Sequence, residues 1–368
     1  MRPLDRHRRS DELVVSKFEI NIFESIDGSL ASAPLHSWEK KVDKRRFLLA
    51  GPSWLAMAAA GITGAAHAAV DAKTRLVVAD QSELIRHLLD ASGERKKTGF
   101  QLELPNFAGG PAIFEAIRAG ALDMAYVGDT PPIQARAAGV NLPIIATFTR
   151  ARAEYRLLQH AGAGVERLSD LRGKRVSYVE GSGRQVFLIE ALNRAGLTLK
   201  DVTLVHLRVA ELNDALRARA VDVATIAEPH VTRLSRQIGA RVVPDPLERQ
   251  LLPSTSYIYA RPEVLADPQK AEAIREFLAS FVRAGRWSNT HRKEWEQHYL
   301  RNFQRLDAES AAAIQAAQAP LEFQTAAQAQ PHHQKLIDIL HSAGSLPQRL
   351  DARDSFVASY DGVIVANR

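Results

Sequence analysis

"AIRAGALDMAYVGD", residues 116–129, and "ALRARAVDVATIAE", residues 215–228, are two copies of one pattern. Each copy reads as a helix end, a tight turn, a strand opened by an aspartate, and an acid at the strand's carboxyl end. The opening aspartates are Asp123 and Asp222, and the closing acids are Asp129 and Glu228. The repeat predicts two similar lobes. A chance likeness between helix-turn-strand units of similar composition is the alternative explanation.

The segments around each copy alternate between strand-like and helical patterns, which indicates an α/β architecture. We therefore predict two lobes, each a mostly parallel sheet flanked by helices, joined by two crossover strands near His160 and Tyr257. Residues 69–159 and 256–368 form the first predicted lobe, and residues 160–255 form the second. The strand-like runs are "TRLVVAD", "FQLELPNF" and "LDMAYVG" in a first series, "EYRLLQH", "KRVSYVE", "VTLVHL" and "VDVATIA" in a second, and "STSYIYARP" as an isolated strand after them.

The N-terminal region has the order of an export signal. Within residues 41–68, a basic cluster precedes an apolar run that ends at Ala66-His67-Ala68, a small-x-small cleavage site. Lys44-Arg45-Arg46 resembles a twin-arginine signal, and the Sec route is equally open. A membrane anchor is the competing interpretation. For the polar extension of residues 1–40 we prefer a mis-assigned start, with a disordered extension as the alternative.

Composition excludes several kinds of site. The chain has no cysteine, which rules out disulfides, thiolate metal sites and thiol catalysis. Its net charge of +6 is spread along the sequence, and no Lys/Arg block with interleaved aromatic residues indicates a nucleic-acid surface. The histidines at 291 and 298, and the His332-His333 pair, are expected on solvated faces. We predict no metal and no cofactor.

Two longer runs carry a resemblance to a known family. Residues 109–139, "GGPAIFEAIRAGALDMAYVGDTPPIQARAAG", and residues 168–207, which include "DLRGKRV" and a Gly-Ser turn, follow a shared order and spacing. They resemble the periplasmic solute-binding proteins of ABC importers for aliphatic sulfonates, nitrate and taurine. Where that family commonly has Trp-Asp-Pro-Tyr, this chain has Ala227-Glu228-Pro229-His230, which changes one wall of the expected cleft.

The resemblance implies a periplasmic-binding-protein fold of type II-like topology that closes on its ligand. It implies a substrate-binding component of an ABC importer, which captures a small sulfonate-like organic anion and delivers it to a membrane permease and its ATPase. On this interpretation the protein is exported to the periplasm, works as a monomer and is not an enzyme. A ligand-sensing protein that signals to a receptor is the first alternative. An enzyme of the same fold is the second, and the missing cysteine disfavours it.

The second lobe offers an anion site at the start of a helix. Free amides and the positive dipole end attract an anion there, Gly183 lets it approach the backbone, and Arg184 supplies a charged donor. Ser182 and Gln185 fit the capping box S-x-x-Q, so helix capping is the alternative role for both. A stripe of apolar residues follows, and Gly196 is the expected C-terminal stop.

The first lobe offers a matching set of ligand contacts. Gly109 and Gly110 precede Pro111 at a helix start, a junction that either exposes amides to the ligand or is a plain turn. Asp129 and Glu228 are each expected either to line the cleft or to cap the following helix. If both acids line the cleft, a zwitterionic ligand is favoured. The remaining predicted contacts are Gln81, Gly128, Thr130 and Ser82, of which Ser82 is also an expected N-cap.

Other motifs are incomplete. Gly181 and Gly183 begin a dinucleotide-type loop, but Val186 stands where the third glycine is needed. The sequence shows no G-x-S-x-G elbow, no Walker loop and no metalloprotease helix. A binding protein therefore remains the preferred interpretation.

Overall fold

The computed structural model describes residues 70–107, 109–153 and 155–368, apart from the side chains of Arg249 and Ser254. The polar extension and the export signal predicted for residues 1–68 lie outside these ranges. Within them, no helix combines the length and the apolar character needed to cross a membrane.

The first sheet has seven strands, and it is the core of what we call the first lobe. β1 lies near one edge and pairs with both β2 and the short β3. Along the sheet the order is β12 (Glu322–Gln324), β5 (Ile144–Arg150), β11 (Ser254–Ala260), β4 (Met124–Gly128), β1 (Arg75–Gln81) and β2 (Gln101–Glu103), with β3 (Asn106–Phe107) beside β1.

The second sheet has five strands and forms the second lobe. Its order is β10 (Arg241–Val242), β6 (Tyr155–Gln159), β9 (Val223–Ala227), β7 (Arg175–Tyr178) and β8 (Thr203–His206). The chain passes between the sheets after Arg150 and again before β11. The sequence-based division placed β6 in the first lobe, but β6 pairs with β9 and β10 in the second sheet.

Both sheets are mixed, whereas the sequence predicted mostly parallel ones. β1 pairs in parallel with β2, β3 and β4, and β7 pairs in parallel with β8 and β9. By contrast, β11 runs antiparallel to its neighbours, and so does β6. The physical reason is that each of these strands enters its sheet directly from the other lobe, so it arrives in the opposite direction.

The two sequence repeats occupy equivalent places in the two sheets. The amide of Asp123 donates to Val77 O over 2.9 Å, and the Val77 amide donates to Asp123 Oδ2 over 2.9 Å. Asp222 makes the same exchange with Arg175, over 2.8 Å in each direction. Each aspartate thus fixes the start of its strand against the parallel neighbour. This common geometry favours a true structural repeat over a chance likeness.

Helices cover the sheets and continue to the C-terminus. α4 ends as the sequence predicted: Gly196 adopts a φ of +68°, and the Leu197 amide donates to Leu192 O over 2.8 Å. α9 runs directly into a π-helix at Glu296–Phe303. The helices are α1 (Leu84–Ala91), α2 (Gly110–Arg118), α3 (Thr130–Ala137), α4 (Gly183–Arg194), α5 (Leu212–Arg217), α6 (His230–Ile238), α7 (Pro262–Ala266), α8 (Pro268–Thr290), α9 (Arg292–Trp295), α10 (Ala308–Ala317), α11 (Ala326–Ser342) and α12 (Asp361–Asn367).

An apolar cluster joins the two lobes. It combines residues of α3 and α11 from the first lobe with residues of α4 from the second, and an ion pair of 3.3 Å between Lys335 Nζ and Glu190 Oε1 lies beside it. We call it the inter-lobe cluster. A hydrophobic contact of this kind limits how far two lobes move apart. Its buried members are Ile133, Val186, Ile189, Leu252, Leu336, Ile337, Ile339, Leu340, Leu346 and Ala352.

We expect Ile337→Ala to destabilise the protein by about 2–5 kcal/mol, because truncating a fully buried isoleucine removes apolar burial and leaves a cavity. Chemical denaturation followed by circular dichroism measures the change. Val365→Ala is the control, since Val365 is 52% exposed and surface changes usually stay within about 0.5 kcal/mol. Equal effects of the two substitutions would contradict the inter-lobe cluster.

Candidate functional site

The carboxyl ends of the parallel strands in the two lobes face each other. In open α/β sheets this edge is where ligands bind. A Cβ atom built at Gly109, after β3, would lie 3.4 Å from Val209 Cγ2, after β8. Gln134 on α3 donates through Nε2 to Gln185 Oε1 on α4 over 3.1 Å. The two edges are therefore in direct contact.

A small cavity lies where these edges meet. Its volume of about 10 Å³ is close to the minimum that holds one water molecule. The first lobe supplies Asp129, which follows β4, and the second supplies the start of α4 and the start of β6. The lining residues are Asp129, Tyr155, Gly183, Val186, Phe187, Leu252, Pro253 and Thr255.

The helix start in the second lobe is not capped in the predicted way. Ser182 is the N-cap residue, but its hydroxyl donates to Val179 O over 2.7 Å and does not bond the helix. Gln185 Oε1 accepts the Gly181 amide over 2.9 Å rather than the Ser182 amide. The capping box prediction is therefore wrong, because both side chains are used to shape the preceding turn. No side chain in the described part of the chain caps α4.

The backbone at Gly183 lies close to side chains of both lobes. A Cβ atom at this position would lie 3.0 Å from Asp129 Oδ1 and 3.0 Å from the Tyr155 hydroxyl oxygen. Both distances are tighter than ordinary van der Waals contacts. Only a residue without a side chain leaves the backbone of α4 open to the cavity.

Arg184 is the cationic side chain next to the cavity. Its guanidinium carbon lies 4.8 Å from the centre of the Tyr155 ring, within the range of a cation–π contact. Its Nε is buried, and it has no hydrogen-bond partner among the described residues. A buried donor on a charged group that lacks an acceptor is costly. An anion that accepts from Nε would remove that cost.

Asp129 lies at the cavity and does not cap α3 through its side chain. It is 6% exposed, and its Oδ1 accepts the Thr130 hydroxyl over 3.0 Å. Burial raises the pKa of Tyr257 well above its usual value, and the charge of Asp129 adds to that rise. Gly128 ends β4, and a Cβ atom there would lie 3.8 Å from the Tyr155 hydroxyl oxygen. Asp129, Thr130 and Gly128, which the sequence predicted as ligand contacts, therefore lie at or beside the cavity.

The loop after β1 is organised by a buried acid. Asp80 accepts the amides of Ile85 and Arg86 over 3.1 and 2.9 Å, so it occupies the start of α1. Ser82 is therefore not the N-cap residue that the sequence predicted; it has a φ of +55°, and its carbonyl accepts the Tyr299 hydroxyl. Gln81 Nε2 donates to Tyr126 O over 3.3 Å. Neither Gln81 nor Ser82 lines the cavity.

The start of α2 matches the sequence prediction in part. Gly109 is its N-cap residue, proline follows in the first turn, and no side chain of the described residues caps it. A Cβ atom at Gly110 would lie 2.5 Å from Pro131 Cγ, so this glycine permits α2 to pack closely on α3. The close packing of α2 on α3 explains why position 110 is a glycine. Gly109, by contrast, faces the second lobe.

Glu228 does not reach the cavity. It is exposed, and its carboxylate accepts both the amide and the hydroxyl of Thr232 over 3.1 Å, at the first turn of α6. Of the two acids that close the repeats, Asp129 lines the cavity and Glu228 does not. The condition for favouring a zwitterionic ligand is therefore not met.

Several residues of the site were missed by sequence reasoning. Tyr155, Leu252, Pro253 and Thr255 line the cavity from the two passages between the sheets. The first passage was predicted near His160, so Tyr155 was not considered. The signal that would have found these residues is positional, because segments that pass between two lobes must border the cleft between them.

Of the histidines expected on solvated faces, His291 is exposed, whereas His298 and His333 are not. His298 Nε2 lies 2.9 Å from His87 Nδ1, and His333 is fully buried with its pKa lowered to about 3 by burial. No group of three or more potential ligands is placed to hold a metal within the ranges that the structure covers.

Comparisons with known proteins agree with this architecture. Residues 96–290 match a protein-family model described as "NMT1/THI5 like". Over 202 residues the chain is 28% identical to a protein of Escherichia coli (strain K12) named "Putative aliphatic sulfonates-binding protein", and the match covers 55% of this chain and 62% of that protein. The chain spans about three fifths of the length of the curated relatives it matches.

Two solved structures share the fold. The alkanesulfonate-binding protein of Xanthomonas axonopodis pv. citri, bound to MOPS, aligns with a TM-score of 0.69 at 21% identity, covering 78% of this chain and 99% of that one. The periplasmic aliphatic sulphonate-binding protein of Escherichia coli aligns with a TM-score of 0.65 at 23% identity, covering 77% and 97%. These likenesses establish the fold of periplasmic binding proteins, as the sequence predicted.

We expect Gly183→Ala to be less stable than Gly362→Ala by about 1–3 kcal/mol, the usual cost of overpacking. Both glycines lie in the first turn of a helix, so alanine brings the same gain in helix propensity. Only at Gly183 does the new methyl group meet Asp129 and Tyr155, whereas at Gly362 it meets nothing within 4 Å. Thermal unfolding of both variants measures the difference, and equal shifts would contradict the close approach.

Burial raises the pKa of Asp80 to about 6, because it outweighs the amides that stabilise the carboxylate. In the unfolded chain this pKa is about 3.9, so the folded protein binds the proton more tightly. The stabilisation that comes from the raised pKa of Asp80 is therefore complete below about pH 4 and is lost as the pH rises through about 6.

We expect urea unfolding at a series of pH values to show wild type losing stability relative to Asp80→Asn between those limits. Each unit of pKa difference corresponds to about 1.4 kcal/mol. Parallel pH profiles for the two proteins would show that Asp80 does not titrate in this range.

Proposed function

The chain belongs to the NMT1/THI5-like family, and on this basis we propose that it captures a small sulfonate-like organic anion between its two lobes. The observation that carries the proposal is the start of α4, where no side chain of the described residues caps the helix and Gly183 lines the cavity. The next residue, Arg184, lies over the ring of Tyr155, another lining residue, and its buried Nε has no hydrogen-bond partner among the described residues. Helix amides and a guanidinium group are the donors that an anionic oxygen needs. Gly183 leaves the backbone accessible beside them.

The rest of the cavity suits an organic group attached to the anion. Val186, Phe187 and Leu252 supply apolar surface next to the donors. A sulfonate with a short alkyl chain combines both features in one molecule. Relatives named for binding aliphatic sulfonates support the same ligand class.

The cavity of about 10 Å³ is smaller than any such ligand, so capture requires the lobes to separate. The passages after Arg150 and before β11 are the connections about which they would rotate. Contacts on α6 would then break and re-form, because Arg236 pairs with Asp307 Oδ2 at 2.5 Å and with Glu309 Oε2 at 3.2 Å. Ligand binding shifts the balance toward the closed form.

In this proposal the protein is exported to the periplasm by the Sec or the twin-arginine route, acts as a monomer, and delivers its ligand to an ABC permease and its ATPase. The curated relatives that support this are binding proteins rather than enzymes by name. A ligand-sensing role differs only in the partner that recognises the closed form. An enzyme of this fold that relies on cysteine is disfavoured, because the chain has none.

A thermal-shift screen of the purified protein tests the ligand class. The panel contains alkanesulfonates, taurine, nitrate, sulfate esters and aromatic sulfonates. We expect alkanesulfonates to stabilise the protein most, by about 2.7 kcal/mol at one hundred times the dissociation constant. A panel without any stabilising ligand would refute the sulfonate-like class.

For the best ligand of that screen, we expect Arg184→Gln to weaken binding by about 10–100-fold, since a hydrogen bond to a charged group contributes about 1.5–3 kcal/mol. Calorimetric titration measures the affinity. Arg194→Gln is the matched control, because Arg194 lies at the other end of the same helix and should leave affinity nearly unchanged. Equal affinities of the two variants would show that Arg184 does not contact the ligand.

A further inference from the structure

The second lobe brings a histidine to the same sheet edge as Arg184. β7 and β9 pair in parallel, so the segments that follow them leave the sheet at one edge. α4 follows β7 and has Arg184 as its second residue, while α6 follows β9 and starts at His230. Arg184 is one of the charged groups that lower the pKa of His230, as expected for residues at one edge of a sheet. The two therefore share one rim of the cleft.

A neighbouring amide fixes the orientation of the imidazole. Asn213 Nδ2 lies 2.9 Å from His230 Nδ1. When the amide donates, Nδ1 accepts, and the neutral ring carries its proton on Nε2. Nε2 is then the ring nitrogen that can donate to a ligand. The second proton is taken up at Nδ1, and the Asn213 amide then turns its oxygen toward the ring to accept from it. Because His230 is exposed, this change needs no rearrangement of the core.

The charged groups that act on His230 are positive. The surrounding protein partly removes the ring from water, which lowers its pKa, and Arg233, Arg184 and Arg217 lower it further. These arginines lie on α6, α4 and α5 respectively. Their own partners lie elsewhere: Arg217 pairs with Asp214, and Arg233 donates to the Gln304 carbonyl. An anion at this rim would oppose all three effects and favour the protonated imidazole.

We propose that His230 is a specificity-determining residue of the cleft, which donates from Nε2 to the anionic group held by Arg184 and takes up a proton when the anion binds. This inference rests on the proposed function. It predicts that the protein binds permanently ionised acids, such as sulfonates, more tightly as the pH falls. The Glu228 carboxylate, two residues before His230, accepts the amide and the hydroxyl of Thr232.

The test measures the affinity for ethanesulfonate and hexanesulfonate by calorimetry between about pH 8 and about pH 5.5, the range in which histidine titrates. Both probes stay ionised throughout, so any change reports the protein. For wild type we expect binding to tighten by about 3–10-fold across this range, since affinity changes up to tenfold per pH unit between the free and bound pKa values. Titrations in two buffers of different ionisation enthalpy should show proton uptake on binding.

His230→Asn keeps a polar side chain but cannot be protonated. We expect its affinity to lose this pH dependence and its binding to show no proton uptake. His341→Asn is the matched control, because His341 is an exposed histidine near the end of α11, and it should behave as wild type. Comparing variants also separates His230 from Asp80, which titrates in the same range and is unchanged in both.

The outcomes distinguish the two proposals. Binding by wild type, with the same pH dependence and proton uptake in His230→Asn, would overturn the role of His230 and leave the anion site intact. A wild type whose affinity does not change with pH would overturn it as well. Failure of wild type to bind either probe at any pH would overturn both proposals.

Discussion

The inter-lobe cluster is the contact on which the site depends. It packs α4 of the second lobe against α3 and α11 of the first, with Ile189, Ile337 and Leu340 among its buried members. α3 begins just after Asp129, and α4 begins at Gly183. Burying the apolar faces of these two helices against each other therefore brings their starts together. The cavity is the place where those starts meet.

The protein satisfies some of its helix starts internally and leaves others open, and two of the open starts lie between the lobes. Asp80 occupies the start of α1, and Glu228 occupies the first turn of α6. No side chain of the described residues caps α2 or α4. The positive ends of α1 and α6 thus face an acid, whereas those of α2 and α4 remain available, and Arg184 adds a full charge beside the start of α4.

Whether a feature could be predicted depends on how far apart in sequence its interacting residues lie. The repeat, the α/β class and the Gly196 helix stop depend on residues close in sequence, and the structure confirms them. The capping box at Ser182 and the N-cap at Ser82 are local patterns that failed. In each case another partner satisfies the groups involved: Gln185 Oε1 accepts from the Gly181 amide and, across the lobes, from Gln134, and Asp80 at the end of a buried strand accepts amides at the start of α1. Contacts between lobes are invisible to local patterns.

The sequence by itself determined that two similar α/β lobes form, that Gly183 and Arg184 stand at a helix start, and that thiol chemistry is excluded. Hydrophobic periodicity and turn chemistry act within a few residues, so one sequence is enough to read them. Only the tertiary structure decided that Asp129 faces Gly183 and that Glu228 accepts an amide in the first turn of α6. It also decided that Tyr155 and Thr255 line the cavity. Those facts depend on how two sheets are oriented, and packing between distant segments sets that orientation.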